Sequence, residues 1–332
     1  PYTSIVARVK VAMADAAKAG PNPALLALLA EFDLKLLNIC FVYDAQDPWR
    51  EQADTYHALI QAHPQRFAWC TSFDLPRFDD PHYIDQAIAG LERDFQAGAI
   101  GCKIWKNIGM DVRTPSGEFF MVDDPLFDPI FEYLAAGSHP LLTHIAEPLE
   151  CWQPLKPGSP HYGYYSKHPE WHMYNRPEFP SHERLMAARD HVLEKHPKLH
   201  MIGAHLGSLE YDVAVLAARL DRYPNFAVDI SARLTDLVTQ DSAKVREFFI
   251  KYQDRLLFGT DMVMRQKLST MNLADKLATI QNLRETYQTH FAYFEQAQPV
   301  TVRGYTNQGL GLPASVLEKF YQTNTQTWYP GV

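Results

Sequence analysis

Three apolar runs in this sequence each end on a side chain that can bind a metal or move a proton. Leu141-Leu142-Thr143 leads into His144, Met201-Ile202-Gly203-Ala204 into His205, and Leu256-Leu257-Phe258-Gly259-Thr260 into Asp261. Imidazole and carboxylate are ligand types of a catalytic zinc or similar ion that keeps one coordination position open. A lone histidine after a strand is more often structural, but three such endings in one chain point to a metal site. The remaining histidines carry less weight. His57, His63, His82, His139, His191, His196, His200 and His290 fall on predicted helices or connectors, where surface roles are expected.

Other residues would serve a substrate. Lys103 lies near the tip of the apolar run Ile100–Trp105. It can grip a substrate carboxylate or, if carbamylated, bridge two metals; the plainer alternative is a lysine neutralised by carboxylates, since lysine is rarely buried unpaired. Lys106 and Asn107 follow it. Glu147, three residues past His144, either orients a ligand or caps the loop. Arg233, just after Asp229 and Ser231, suits a bidentate hold on a carboxylate or an ion pair with Asp229 or another acid. Residues 146–180 form one long connection rich in aromatics, including Trp152, Tyr162, Tyr164, Tyr165, Trp171, Tyr174 and Phe179. A loop of this length is expected to be a lid or a subunit interface, with Trp152 a candidate substrate contact. His168 and His172 are four apart but lack the glutamate of an H-E-x-x-H helix. No G-x-S-x-G occurs and no cysteine stands beside a convincing base, which argues against covalent acyl transfer.

The elements that must position these residues alternate. From Lys35 onward, strands near Leu36, Phe67, Cys102, Leu142, Ile202, Ala227 and Leu257 are separated by amphipathic helices, the pattern of βαβ units and a parallel sheet. Functional groups at successive strand tips are the hallmark of a (β/α)₈ TIM barrel. Seven strands follow the helix that begins at Pro23, so the first strand is expected either in divergent form within residues 1–20 or ahead of the chain given. An open doubly wound sheet is disfavoured by the absence of any G-x-G-x-x-G or P-loop. Further helix is expected after Asp261, then a loop over Gly304–Pro313 and a final helix around Val316–Tyr321. Residues 1–332 read as one domain, without repeats, low-complexity stretches or linkers.

Composition is consistent with this. The 332 residues are 46% hydrophobic, with a net charge of −8 and a pI near 6.0. That balance argues against nucleic acid or an anionic membrane as partner, and no apolar run reaches spanning length. The four cysteines show no C-x-x-C spacing, and Cys40, Cys70 and Cys102 read as small buried hydrophobes. The lack of a disulfide framework fits a reducing compartment, so a cytoplasmic location is expected, with a small molecule as the substrate.

At Leu142-Thr143-His144, Gly203-Ala204-His205 and Leu257-Phe258-Gly259-Thr260-Asp261 the chain resembles the amidohydrolase superfamily, in its amidohydrolase-2 branch, which includes the aminocarboxymuconate-semialdehyde-decarboxylase-like enzymes. Gly101-Cys102-Lys103-Ile104 and Tyr223-Pro224-Asn225-Phe226 with Val228-Asp229 are also similar to that branch. The resemblance implies a barrel with one divalent metal, zinc most often and manganese as an alternative. It implies that His144 and Asp261 are ligands, and that His205 is a ligand or handles the proton of the attacking water. The departure is the H-x-H that the family carries after its first strand, which occurs nowhere in this sequence.

The expected function is therefore metal-dependent hydrolysis of a small, carboxylated substrate. His205 and Asp261 are the catalytic candidates, His144, Asp261 and His205 the metal candidates, and Lys103, Arg233, Trp152 and Glu147 the substrate contacts. The alternatives are a non-oxidative decarboxylase on the same scaffold and a non-catalytic barrel that has lost the H-x-H half of its site. A homodimer or higher homo-oligomer is expected.

Overall fold

The computed structural model describes residues 5–11, 22–264 and 271–332, and of residues 5–11, 263 and 264 the backbone alone. Strands and helices alternate as expected: β1 (Ile5–Val11), α1 (Pro23–Glu31), β2 (Lys35–Ile39), α2 (Arg50–Ala62), β3 (Phe67–Cys70), α3 (Tyr83–Gln96), β4 (Cys102–Ile104), α4 (Asp128–Ala136), β5 (Leu141–Thr143), α5 (His182–Lys195), β6 (Met201–Gly203), α6 (Val213–Arg222) and β7 (Phe226–Asp229). A short helix α7 (Leu234–Val238) precedes α8 (Ser242–Lys251), β8 (Leu256–Leu257), β9 (Met262–Met264) and the long α9 (Leu273–Glu295).

Every pairing among β1–β9 is parallel. One sheet has the order β3-β2-β1-β9 and the other β4-β5-β6-β7-β8. A parallel bridge between Thr71 and Cys102 joins them on one side. On the other, only residues 258–261 separate β8 from β9. The strand expected within residues 1–20 is β1, whose first half pairs with β2 and whose last three residues pair with β9. Residues 12–21, which follow it, lie outside the described residues.

The central strands are buried on both faces, which explains their continuous apolar character. One face packs under the helices in the main core. The other contributes Leu37, Ala68, Cys70, Leu142, Ile202, Ala227 and Leu257 to a separate small cluster closed at one end by Trp328 and Tyr329. Strands from both sheets thus share an inner core. All four cysteines are free and buried: Cys40, Cys70 and Cys102 as read from the sequence, and Cys151 as well.

Several helix starts follow side-chain caps. Asn22 accepts from Ala24 N at 2.8 Å with Pro23 as the first helical residue, and Ser181 accepts from Arg184 N at 3.1 Å. The helix after β6 begins at Val213, where Asp212 caps it through Ala214 N. The expected loop over Gly304–Pro313 is partly an antiparallel hairpin, β10 (Pro299–Val302) with β11 (Tyr305–Gln308). Its sign in the sequence is alternation: Val300 and Val302 are buried while Thr301 is exposed. The last helix is broken, running Ala314–Glu318, then a wide turn over Lys319–Thr323, then Asn324–Trp328. Among the described residues no helix is long and apolar enough to cross a membrane.

Candidate active site

Parallel register puts the functional side chains at one end of the sheets. Ile104, Thr143, Gly203 and Val228 stand side by side on β4 to β7. His144 follows β5 directly, and its N–H donates to the Ile104 carbonyl at 3.1 Å. His205 stands two residues past β6, Asp229 ends β7, and Asp261 immediately precedes β9. A cavity of about 420 Å³ opens here, lined by Lys103, Trp105, Lys106, His144, Glu147, His161, Tyr164, His205, Arg233, Asp236, Asp261 and Arg303 among others.

The backbone after β6 is held in an unusual shape. His205, Leu206, Gly207 and Ser208 all have φ between 58° and 61°. A left-handed conformation costs roughly 1–2 kcal/mol for each non-glycine residue, so neighbouring groups must enforce it. Asp229 Oδ1 accepts from His205 N at 3.1 Å and from Ser231 N at 3.0 Å. Arg189 donates to the Gly207 carbonyl at 2.5 Å, His182 Nε2 to the Ser208 carbonyl at 2.8 Å, and Ser208 Oγ to the Ala146 carbonyl at 2.7 Å. Gly203 and Gly207 allow the close approach: a Cβ on Gly203 would sit 2.8 Å from the Gly207 Cα and 2.8 Å from the Phe226 ring. Ala232, Asp261 and Arg303 also have positive φ and border the same cavity. Strain gathered at one cavity is a mark of a functional site.

The two histidines are buried together, with ring centroids 4.4 Å apart at 74°. Nδ1 of His205 lies 2.7 Å from the Ser231 carbonyl, which only accepts, so Nδ1 carries the proton and Nε2 is the basic nitrogen. His144 Nε2 is buried and has no hydrogen-bond partner among the described residues. Burial holds the His144 pKa well below the usual imidazole value, and His205, Lys103, Lys106 and Arg233 push it further down. His144 is thus arranged as a neutral donor of a lone pair. Burying such a nitrogen without a partner is costly unless something arrives to use it.

Around them stands a ring of paired charge. Lys106 and Glu147 form a buried ion pair, the Tyr165 hydroxyl donates to Glu147 at 2.9 Å, and Lys106 Nζ lies 3.8 Å above the Trp171 ring. Arg233 donates to the Ala232 carbonyl at 3.1 Å. Burial opposes its charge, but Asp236, Glu210, Tyr165 and Glu147 together leave its pKa above the ordinary value. His161, from the long loop, contacts Asp236 at 2.7 Å. Burial pushes the Glu210 carboxyl up to about 7, Asp236 adding to the shift while Arg233 opposes it.

The structure therefore brings His144, His205, Asp261, Lys103, Arg233 and Glu147 to one cavity. Trp152 is placed elsewhere: its indole donates to the Pro180 carbonyl at 3.0 Å and its ring packs 5.3 Å from His182, so it braces the loop. Trp105 is the tryptophan of the cavity, packed edge-on against Phe41 at 5.6 Å. Arg233 pairs with neither Asp229 carboxyl oxygen in the way the sequence allowed; Asp236 and Glu210 are its acidic surroundings. His168 and His172 bond to Glu170 and the Gln153 carbonyl, outside the cavity. Sequence reading missed Asp236, His161, Glu210 and Arg303. His161 and Asp236 meet across 75 positions, and only the fold pairs them.

The donor chemistry suits a divalent ion at His144, whose buried lone pair has no other use among the described residues. The set is nonetheless sparse. Among the described residues no three His, Cys, Asp or Glu side chains converge closely enough to hold an ion, and the nearby lysine and arginine charges favour an anion.

The model of a family described as Amidohydrolase matches residues 28–331. No curated protein matches the sequence significantly. Among solved structures, the chain is similar to 2,6-dihydroxybenzoate decarboxylase complexed with 2,6-dihydroxybenzoate, at 15% identity over 99% of each chain and a TM-score of 0.58. It is similar to 4-oxalomesaconate hydratase from Rhodopseudomonas palustris, at 14% identity over 96% of this chain and 83% of that one, TM-score 0.53. An amidohydrolase from Burkholderia multivorans with bound zinc gives 13% identity over 98% of each chain and a TM-score of 0.50. At such identities the likeness is one of fold.

Proposed function

The chain belongs to the amidohydrolase family, and from that premise we propose that it is a metal-dependent hydrolase of a small, carboxylated substrate, built on a closed (β/α)₈ barrel. Closure is supported by the bridge between Thr71 and Cys102, by the step from β8 to β9, and by the inner cluster drawn from both sheets. The observation that carries the functional reading is the buried, unpartnered Nε2 of His144 beside His205, in the cavity that Asp261 also lines.

His144 and Asp261 are the groups that would hold the ion. A divalent ion supplies a Lewis acid that brings the pKa of water toward neutrality. His205 keeps its own proton on Nδ1 against Ser231 and offers Nε2 as the acceptor of a proton released in the cavity. Lys103 and Arg233 set a positive field that draws and orients a substrate carboxylate. The His161–Asp236 and Lys106–Glu147 pairs hold the long loop over the cavity and limit access of water. With few donors among the described residues the ion would be held loosely, and full occupancy would depend on added metal.

The test is metal content and turnover of the full chain with added zinc or manganese, across carboxylated amides, esters and lactones. The expected result is about one bound ion per chain and a hydrolysis product, both lost in His144→Ala and Asp261→Ala with the fold intact. Release of CO₂ in place of a hydrolysis product would move the reading to non-oxidative decarboxylation. A folded protein with neither metal nor turnover would leave only a binding module.

A further inference from the structure

The turn between β10 and β11 contains just Arg303 and Gly304, since Val302 pairs directly with Tyr305. Both turn residues have positive φ, 49° and 89°. This is the mirror-image hairpin turn that favours Asn-Gly, Asp-Gly or Gly-Gly. Arginine is a poor choice for its first position, because a Cβ in the left-handed region crowds the following carbonyl. An outlier of this kind persists where the side chain itself is needed.

The Arg303 side chain makes no hydrogen bond or ion pair with any described residue. It stands at the border of two cavities: the active one, and a second of about 380 Å³ lined by Thr260, Asn282, Thr286, Thr289 and Thr301. Ala232 and Thr235 border both cavities as well, so the two adjoin. The platform is fixed. The Tyr305 hydroxyl donates to the Gly158 carbonyl of the long loop, and Asn307 donates to the Val238 and Gln240 carbonyls at 2.8 Å each. Glu285, the acid on the wall of the second cavity, accepts from Gln281 at 2.8 Å.

We propose that Arg303, presented from this strained turn where the active cavity meets the threonine-lined one, is the specificity residue that binds a second carboxylate, making the substrate a dicarboxylate. The first carboxylate lies in the field of Lys103 and Arg233; the second turns outward to the Arg303 guanidinium, whose planar fork matches a carboxylate. The inference rests on the carboxylated-substrate reading above.

Titration calorimetry on the full chain tests it, with the α,ω-dicarboxylates from glutarate to suberate and their monomethyl esters as probes. Wild type should bind at least one diacid roughly tenfold or more tighter than its half-ester, the worth of a charge-assisted bond. Arg303→Asn, which suits the turn, should bring that diacid down to the level of its half-ester, leave half-ester binding unchanged, and keep or raise the melting temperature. Arg303→Lys should retain part of the preference. Equal binding of diacids and half-esters by wild type, or a preference that survives in Arg303→Asn, overturns the inference and leaves the carboxylate site standing. Failure of folded wild type to bind either class overturns the carboxylate reading and this inference with it.

Discussion

Lys103 illustrates how a single residue is read and tested. It sits at the centre of a three-residue strand, 4% exposed, among hydrophobic neighbours, yet it lines the active cavity and acts on His144. A buried ammonium is retained against its desolvation cost where it is paired or where its charge is used. Lys103→Met keeps the length and the packing and removes the charge. The expected outcome is weaker binding of a monocarboxylate probe by about tenfold to a hundredfold, the loss of a charge-assisted contact of about 1.5–3 kcal/mol. Calorimetric titration of the variant checks it. Unchanged affinity would make Lys103 a structural lysine. At this scale the placement of His144, His205 and Asp261 at one cavity was legible in the sequence because each follows an apolar run directly. The burial of the two imidazoles and the tautomer of His205 were not, since the first depends on how neighbouring elements pack and the second on the Ser231 carbonyl.

The strands and helices were legible because each carries its own period and several helices carry their own caps. What escaped were the features that depend on pairing between distant elements. The left-handed turn after β6 exists because Asp229 of β7 and Arg189 and His182 of α5 hold its backbone groups. The fastening of the long loop is of the same kind. Glu147 lies at the loop's start and Lys106 just past β4, both side chains 6% exposed. Breaking one side of a buried ion pair leaves an uncompensated charge and costs about 3–5 kcal/mol, whereas replacing both partners by apolar groups is often close to neutral. Glu147→Gln should therefore lower unfolding stability by about that amount, even though the amide still accepts from Tyr165. Glu147→Leu combined with Lys106→Met should recover most of it. Urea unfolding of the three proteins checks the order. A double variant no more stable than the single one would show that the loop is held by something other than this pair.

The architecture of the whole chain was visible in the alternation of strands and helices. The inner cluster was not, because Leu37, Ala68, Leu142, Ile202, Ala227 and Leu257 look like any buried strand residues until the register places them on one face. A property of the whole chain that follows is its stability against pH, in which buried groups far apart compete. His182 on α5 and His290 on α9 are buried neutral, burial pulling each pKa down to about 4. Their contribution is present above the ordinary imidazole value and lost as pH falls toward 4. Glu210 works the other way. Its carboxyl is pushed up to about 7, so its contribution is present below the ordinary carboxyl value and lost as pH rises through 7. Each effect is on the order of 3 kcal/mol, and two histidines oppose one glutamate. Wild type should lose stability on acidification from pH 7.5 to 5, but less steeply than the histidines alone dictate. Glu210→Gln removes the opposing contribution while its side-chain carbonyl can still accept from Leu149 N, which lies 2.9 Å from Glu210 Oε1. The variant should be more stable than wild type at pH 7.5, nearly equal to it at pH 5, and steeper between. Urea midpoints at the two pH values decide the matter: parallel profiles for the two proteins would mean that Glu210 is ionised throughout and that Arg233 outweighs its burial.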